Sequence, residues 1–351
     1  MIIVNGKFLS QAQTGVQRYA FEIIRELILL RDDVQVVCPQ KKFLVPELHQ
    51  WPLVHIGKKQ GFYWEQFELP NWLKKQHAPL LINLCNSAPL FYQPSFVTIH
   101  DLATIHHPAW FSSKFSFFYR IMLPLLAKRS EKIITVSKQI QKEIVNEFNV
   151  KIDKIEVIYN GLPQIFNENK HKSSFLDKKR QILAVGSFDP RKNFQLLLEA
   201  FLEAKNLSDY TLVFVGRASD LFTFNDLKVN ERDVARVKIL ANTTDQELLE
   251  LYKESEIFVS LSAYEGFGIP VLEAISMKCK ILISDIPVYR ELFSDHAHFT
   301  SLEKEAVVNA LSTIIQSENR VESLETILKK YSYTEAAISL NSLINSYKQS
   351  V

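Results

Sequence analysis

At 351 residues the chain is long enough for about two domains, and 47% hydrophobic with 23% charged residues is ordinary globular composition, not that of a disordered or fibrous chain. A net charge of +2 leaves no dense basic stripe of the kind that nucleic-acid binding needs. Residues 1–168 carry 19 Lys+Arg against 14 Asp+Glu and the remainder 22 against 25, a basic front half that either suits weak contact with an anionic membrane or is simple drift in composition.

The opening MIIVNG reads as a strand with no basic leader before it, so no signal peptide is expected. In TGVQRY, Thr14 stands as a helix N-cap with Gln17 three positions on, a capping-box pattern, and Gly15 leaves the helix start open to an anion; plain capping explains the pattern equally well. The helix that follows puts Val16, Tyr19, Ala20, Ile23, Ile24 and Leu27 on one face. Short apolar runs, VQVVCP, LLINLCN, SFVTIHD and KIITVS, then alternate with 3.6-period segments, the pattern of βαβ units and a parallel sheet. None of the apolar runs is long enough to span a bilayer.

His100 and Asp101 end the run SFVTIHD, at a strand's carboxyl end, where a His–Asp pair can offer a hydrogen bond or a proton relay. His106 and His107 follow with a spacing that matches no familiar zinc site. The cysteines Cys38, Cys85 and Cys279 are too far apart for a disulfide framework or a metal cluster, and they suit a reducing cytosol. GFYWEQFELPNWLKK is an aromatic-basic stretch suited to an acceptor mouth. KFSFFYRIMLPLLAKR, residues 114–129, reads as a peripheral membrane helix or, more simply, as a helix packed inside the front domain around Leu123, Leu125 and Leu126.

The polar stretch NENKHKSSFLDKKRQ, residues 167–181, breaks the alternation and is expected to be a linker or exposed crossing. The alternation then restarts through ILAVGSF, NFQLLLEAFLEAK, TLVFVG, VKILAN, DQELLELYKES, IFVSLS, PVLEAISMK and KILISD, and the chain ends in an amphipathic helix. The expected architecture is α/β: two doubly wound Rossmann-like domains, residues 1–168 and 169–330, with a ligand cleft between them and 331–351 packing back towards the first.

Two stretches of the rear half concentrate the chemistry. GSFDPRKNF, from Gly186, sets Arg191 and Lys192 at a strand's carboxyl end beside a helix start, where two cations can stabilise a departing diphosphate. The chain has no Asp-x-Asp, so the usual carboxylate clamp for a divalent metal is missing and no metal is expected. AYEGFGIPVLEAISM sets Glu265 before a turn and Glu273 in the first turn of a helix that begins at Pro270, with Gly266 and Gly268 letting backbone N–H groups approach a ligand. Each carboxylate can accept hydrogen bonds from a diol, one on a sugar and the other on a ribose. Solvated turns and ordinary capping would produce either stretch alone.

Taken together, EGFGIPVLE, TGVQRY, VTIHDLATIHHPAWF, VIYNGLP and VGSFDPRKNF resemble the retaining glycosyltransferases of family 4, which have the GT-B fold, over nearly the whole chain. The Pro-Arg-Lys-Asn turn is similar to a sub-group of bacterial polysaccharide mannosyltransferases; many other relatives carry an arginine where this chain has Ser187. The resemblance implies transfer of a hexose-type sugar from a nucleotide sugar, with GDP-mannose the preferred candidate, held by the rear domain. The acceptor, a saccharide that includes the polyprenyl-diphosphate-linked kind, falls to the front domain. The implied setting is the cytoplasm, including the inner face of the plasma membrane, with no cofactor.

By the same resemblance His100, Glu265 and Lys192 are catalytic. Donor binding falls to Gly15, Asp101, Gly186, Arg191, Lys192, Gly266, Phe267, Gly268 and Glu273. Asn242 to Gln246 is the implied base-facing loop, and Asn160-Gly161 a turn near the domain junction. The rival is a non-catalytic nucleotide-sugar-binding partner of another glycosyltransferase. A nicotinamide dehydrogenase fails because no Gly-x-Gly-x-x-Gly follows the first strand.

Overall fold

The computed structural model describes residues 1–12, 14–40, 48, 50–172, 174, 178–216, 227, 229, 231–317 and 324–350. The chain divides into unit 1, Met1–His106, Ser113–Gly161 and Tyr331–Val351, and unit 2, His107–Ser112 and Leu162–Lys330.

Unit 1 is built on strands β1 (Ile2–Asn5), β2 (Val34–Pro39), β3 (Leu53–Ile56), β4 (Leu80–Asn83), β5 (Ser95–Thr98), β6 (Lys132–Thr135) and β7 (Ile155–Val157). All pair in parallel in the order β3-β2-β1-β4-β5-β6-β7. Short, almost continuously apolar runs such as Ile2-Ile3-Val4 are buried on both faces, as a parallel sheet covered by helices requires. The chain leaves β1 towards one edge and returns on its other side as β4, so the switch point lies between these two strands, and their carboxyl ends are Asn5 and Asn83.

Helix α1 (Gly15–Leu30) buries Tyr19, Ala20, Ile23, Ile24 and Leu27 of the apolar stripe read from the sequence, while Val16 in its first turn is only half-buried. Its start is a capping box in which the Thr14 N–H donates to Gln17 Oε1 at 3.2 Å. Next come α2 (Gly61–Tyr63), a π-helical turn (Trp64–Glu68) and α3 (Leu69–Lys75), which bury Trp64, Leu69 and Leu73 in one cluster with Ile3, Val37 and Leu81. Short α4 (Ala103–His106), α5 (Ser113–Arg129) and α6 (Lys138–Phe148) complete the front elements. The segment KFSFFYRIMLPLLAKR does pack inward through Leu123 and Leu126, but Leu125, expected with them, is exposed.

Unit 2 begins with α7 (Gln164–Asn169) and repeats the plan with β8 (Lys179–Val185), α8 (Phe194–Glu203), β9 (Thr211–Gly216), β10 (Val237–Ala241), α9 (Asp245–Glu254), β11 (Ser255–Ser260), α10 (Ile269–Ser276), β12 (Lys280–Ser284), α11 (Pro287–Phe293), β13 (His298–Thr300), α12 (Lys304–Ile314) and α13 (Leu324–Lys330). Its six parallel strands run β10-β9-β8-β11-β12-β13, with the switch point between β8 and β11. The final helix, α14 (Tyr333–Ser350), lies along α1 in unit 1 and buries Ala336, Ala337, Leu340 and Ile344.

The expected division at residue 168 is therefore displaced. The stretch read as a linker, residues 167–181, opens in the last turn of α7 and a 3₁₀ turn over Lys170–Lys172, and 173 and 175–177 lie outside the described residues. Just ahead of it Phe166 is fully buried edge-on to Tyr252 of unit 2, with ring centroids 5.5 Å apart. Gln181, assigned to the same linker, lies in β8 and donates to Ser255 Oγ at 2.8 Å. Asn160, buried, and Gly161, against the backbone of Ser332 and Tyr333, mark where the chain leaves unit 1.

Candidate active site

In unit 2 the loops after β8 and β11 meet at the switch point. Pro190–Lys192 forms one 3₁₀ turn, and Asn193, in the left-handed region at φ 51°, swings the chain into α8. The Asn193 side chain donates to the Leu261 carbonyl at 2.8 Å, and the Ala263 N–H donates to the Arg191 carbonyl at 2.8 Å. These two bonds join the GSFDPRKNF and AYEGFGIPVLE loops.

Their side chains converge on Glu265. Lys192 Nζ donates to Oε1 in a close ion pair, and Arg191 Nη1 stands 3.5 Å from Oε2. Arg191 Nε also faces Asp189 Oδ2 at 3.7 Å. The Lys192 side chain is 10% exposed and that of Glu265 11%. Burial alone would raise the Glu265 pKa, but the charge of Lys192 and then of Arg191 outweighs it and holds the carboxyl below its ordinary value. Burial pushes the Lys192 ammonium down against the pull of Glu265. Gly186 lies against the Lys192 stem, and a Cβ there would come within 3.0 Å of the lysine Cε.

Beneath the Glu265 loop, Tyr289 and Ser260 share a hydrogen bond at 2.9 Å, and Ser260 reaches Ser262 at 3.2 Å. Ser262 in turn hydrogen-bonds to Glu265. Burial keeps the Tyr289 phenol neutral far above its usual range. Gly268 takes φ +105°, and a Cβ there would lie 2.7 Å from Tyr289 Cε1. Gly266 is buried, and Phe267, 3% exposed, anchors the turn edge-on to Phe293.

Glu273 departs from expectation in one respect. Helix α10 starts at Ile269, so Pro270 is its second residue and Glu273 falls beyond the first turn, out of reach of most of the dipole. The buried carboxylate is held instead by the Tyr252 hydroxyl, which donates to Oε2 at 2.9 Å. Tyr252 comes from α9, whose start carries a capping box between Thr244 and Glu247. Asn242, the first residue of the loop assigned to the base, adopts φ 55°.

In unit 1, His100 follows β5 and is buried, edge-on to Tyr19 with ring centroids 4.8 Å apart. Its backbone N–H donates to Asn86 Oδ1 at 2.7 Å, while ring Nε2 sits 2.9 Å from the Leu84 carbonyl. That contact fixes Nε2 as the donor and leaves Nδ1 as the acceptor of a neutral imidazole. Burial lowers the His100 pKa, against the opposing effects of the Leu84 carbonyl and Asp101. Asp101 caps its own turn by accepting from the Ala103 N–H at 3.0 Å. Gly15 is exposed at the first position of α1.

A polar cluster at the unit 1 switch point lies outside the residues singled out from the sequence. Glu65, fully buried, accepts from Lys7 Nζ at 2.6 Å, Asn5 Nδ2 at 2.9 Å and Ser87 Oγ at 2.9 Å. Asn5 also donates to Asn83 Oδ1 at 2.9 Å, and Lys7 to Ser87 at 2.7 Å. Tyr119 of α5 stands within electrostatic reach of Glu65, Cys85 and Asp101, and burial, with these charges, pushes its phenol up to about 12. One signal was present: a glutamate inside the aromatic run FYWEQF has no obvious solvent face and demands a buried partner.

Two domain models match the chain: Glycosyltransferase Family 4 over residues 13–163 and Glycosyl transferases group 1 over residues 166–333. The chain is 25% identical over 355 residues to the O-antigen chain mannosyltransferase RfbU of Salmonella typhimurium, covering 95% of this chain and 96% of that protein. It is 28% identical over 186 residues to the GDP-mannose:cellobiosyl-diphosphopolyprenol alpha-mannosyltransferase of Komagataeibacter xylinus, 51% of this chain and 45% of that one. Among solved structures, Anabaena Alr3699/HepE in complex with UDP-glucose aligns over 98% of this chain and 99% of its own at TM-score 0.72 and 16% identity.

Two parallel-sheet α/β units with these neighbours define a GT-B glycosyltransferase. More narrowly, the chain belongs to the glycosyltransferases that join a family 4 front domain to a group 1 rear domain.

Proposed function

We propose that this enzyme transfers a hexose, mannose foremost, from its nucleoside-diphosphate conjugate to a saccharide carried on polyprenyl diphosphate, with retention at the anomeric carbon, in bacterial surface-polysaccharide synthesis. The observation that carries the reading is the Arg191–Lys192–Glu265 cluster at the unit 2 switch point. It sets two cations for a diphosphate beside an ionised carboxylate for sugar hydroxyls. RfbU and the K. xylinus enzyme are mannosyltransferases by name, which favours a mannosyl donor; the UDP-glucose bound to HepE makes uridine nucleotides the competitor.

In this reading Glu265 and the Phe267 and Gly268 N–H groups hold the sugar, with Gly266 and Gly186 allowing close approach. Glu273, braced by Tyr252, takes the ribose. Gly15 and Asp101 keep the donor-binding roles and His100 the catalytic role the resemblance gives them, and the Lys7–Glu65 cluster with Tyr119 serves the acceptor. Glu265 is engaged by Lys192 and is no free nucleophile. The bond from the anomeric carbon to the phosphate oxygen breaks as the acceptor oxygen bonds on the same face, and the acceptor proton passes to the leaving phosphate. The charge developing on that phosphate falls to Arg191 and Lys192, with no metal assigned. The proposed place of work is the cytoplasmic face of the plasma membrane; among the described residues no helix is long and apolar enough to cross it.

Incubation of the full chain with a panel of GDP-, UDP- and dTDP-sugars and polyprenyl-diphosphate saccharides tests the reading. Turnover with an α-linked product from an α-linked donor is expected. Binding without turnover across the panel would instead make the chain a non-catalytic nucleotide-sugar-binding subunit.

A further inference from the structure

The loop after β12 leads into α11 and sets Tyr289, 1% exposed, under the Glu265 turn. Its hydroxyl lies 2.9 Å from Ser260 Oγ at the end of β11, and Ser260 Oγ lies 3.2 Å from Ser262 Oγ. Ser262, fully buried, donates to the Glu265 carboxylate. The Ser284 hydroxyl, at the end of β12, donates to the Ser262 carbonyl and pins the same residue through its backbone. The Tyr289 ring lies against Gly268, where a Cβ would come 2.7 Å from Cε1. One side chain thus bears on both the carboxylate and the Gly268 turn.

The carboxylate fixes the direction of these hydrogen bonds. An ionised carboxylate only accepts, so Ser262 gives its proton to Glu265 and its oxygen accepts from Ser260, which accepts in turn from Tyr289. The chain Tyr289–Ser260–Ser262–Glu265 therefore runs one way, and each bond polarises the next. Its far end stays a donor, because burial keeps the phenol protonated. Among the described residues, Lys192, Arg191 and Ser262 take three of the roughly four accepting positions on Glu265. The position left for a sugar hydroxyl is narrow, and its direction depends on where the Ser262 arm holds the carboxylate.

We propose that Tyr289 is a positioning residue for the donor sugar: it orients the Glu265 carboxylate through Ser260 and Ser262 while its ring sets the Gly268 turn. The inference deepens the proposed function and rests on its assignment of Glu265 to sugar hydroxyls. It divides donor recognition in two. The hydroxyl chain governs the saccharide, and the cations of the β8 loop govern the diphosphate, so loss of the chain is felt only by a ligand that carries the sugar.

Titration calorimetry of the full chain with GDP-mannose against GDP, and with UDP-glucose against UDP, reads that division. Tyr289→Phe keeps the ring against Gly268 and is expected to weaken binding of the nucleotide sugar about fivefold. Ser262→Ala should weaken it about tenfold or more, since its lost bond goes to a charged group. Neither variant should change binding of the free nucleoside diphosphate, which also reports that unit 2 is folded. Tyr289→Phe/Ser262→Ala should bind no more weakly than Ser262→Ala, because Tyr289 then has no path to the carboxylate. Equal weakening of nucleotide sugar and nucleoside diphosphate would reduce Tyr289 to scaffold and overturn the inference. So would single losses that multiply in the double variant, or variants that bind the nucleotide sugar as wild type does. Wild-type protein that binds neither pair would overturn the donor assignment itself, and the inference with it.

Discussion

Removing the charge of Lys192 alone would strand the Glu265 carboxylate in a site where only Arg191, at 3.5 Å, remains to answer it. A buried pair that loses one partner destabilises by about 3–5 kcal/mol, while replacing both partners by neutral groups is often close to neutral. Lys192→Met is therefore expected to lower the unfolding free energy by about 3 kcal/mol, and Lys192→Met/Glu265→Gln to recover most of that loss. Transfer should not recover with it, because the diphosphate loses its cation and the sugar its carboxylate; a fall of about 10²–10³ in rate is expected for the double variant. Urea unfolding set beside initial rates separates the two effects, and recovery of both would reduce the pair to scaffold. The two loops that carry this pair were legible, because each follows an apolar strand run and carries turn residues, although the pairing itself was not. The Lys7–Glu65–Asn5–Asn83 cluster was not: its hydrogen bonds join residues 58, 60 and 78 positions apart, and only the fold brings them together.

Secondary structure follows the same division between local and distant causes. The apolar stripe of α1 and the buried runs of β1 and β4 are written in residue spacing, and the structure keeps them. The start of α10 shifts by one residue because Gly268, at φ +105°, already supplies the turn and Ile269 enters the helix ahead of Pro270. The attachment of α14 depends on tertiary partners. Arg31, at the end of α1, donates to Asn341 and Asn345 Oδ1, both at 2.6 Å, and to Asp33 at 2.8 Å, while Lys348 reaches Asp33 at 2.7 Å. The Arg31 hydrogen bonds, and after them Lys348, hold the Asp33 carboxyl well below the usual carboxylate range, against the upward push of partial burial. A folded-state pKa depressed in this way contributes stability above the unfolded value, and that stability is lost as pH falls below about 4. Asp33→Asn is expected to cost about 0.5–1 kcal/mol at neutral pH, the modest figure proper to a partly exposed network. It should also flatten the decline in unfolding free energy between about pH 5 and pH 3. Denaturant titrations across that range check both; an unchanged acid limb would remove Asp33 from the account.

At the scale of the whole chain, two units each carry their own parallel sheet, so unfolding need not be a single transition. Alternating strands and helices announced both sheets, but the polar stretch at 167–181 lies a few residues past the point, between Gly161 and Leu162, where the chain changes unit. Membership is decided by a few packed side chains, Phe166 for unit 2 and Ala337, Leu340 and Ile344 for unit 1. Loss of residues 331–351 would strip α14 from the buried face of α1 and expose that stripe, in a unit whose strands mostly run to only four residues. Unit 2 would keep its sheet and its loops at β8 and β11 intact. A nucleoside diphosphate that binds there at 100 times its dissociation constant stabilises the folded form by about 2.7 kcal/mol. Calorimetry of the full chain is thus expected to show GDP, or UDP if the donor is a uridine sugar, raising one transition and leaving the other in place. In the chain ending at Lys330 the nucleotide-insensitive transition should weaken or vanish while the sensitive one still responds. Loss of the nucleotide response on truncation would mean that α14 supports the donor site as well as unit 1, and the division of labour argued from the two sheets would fall.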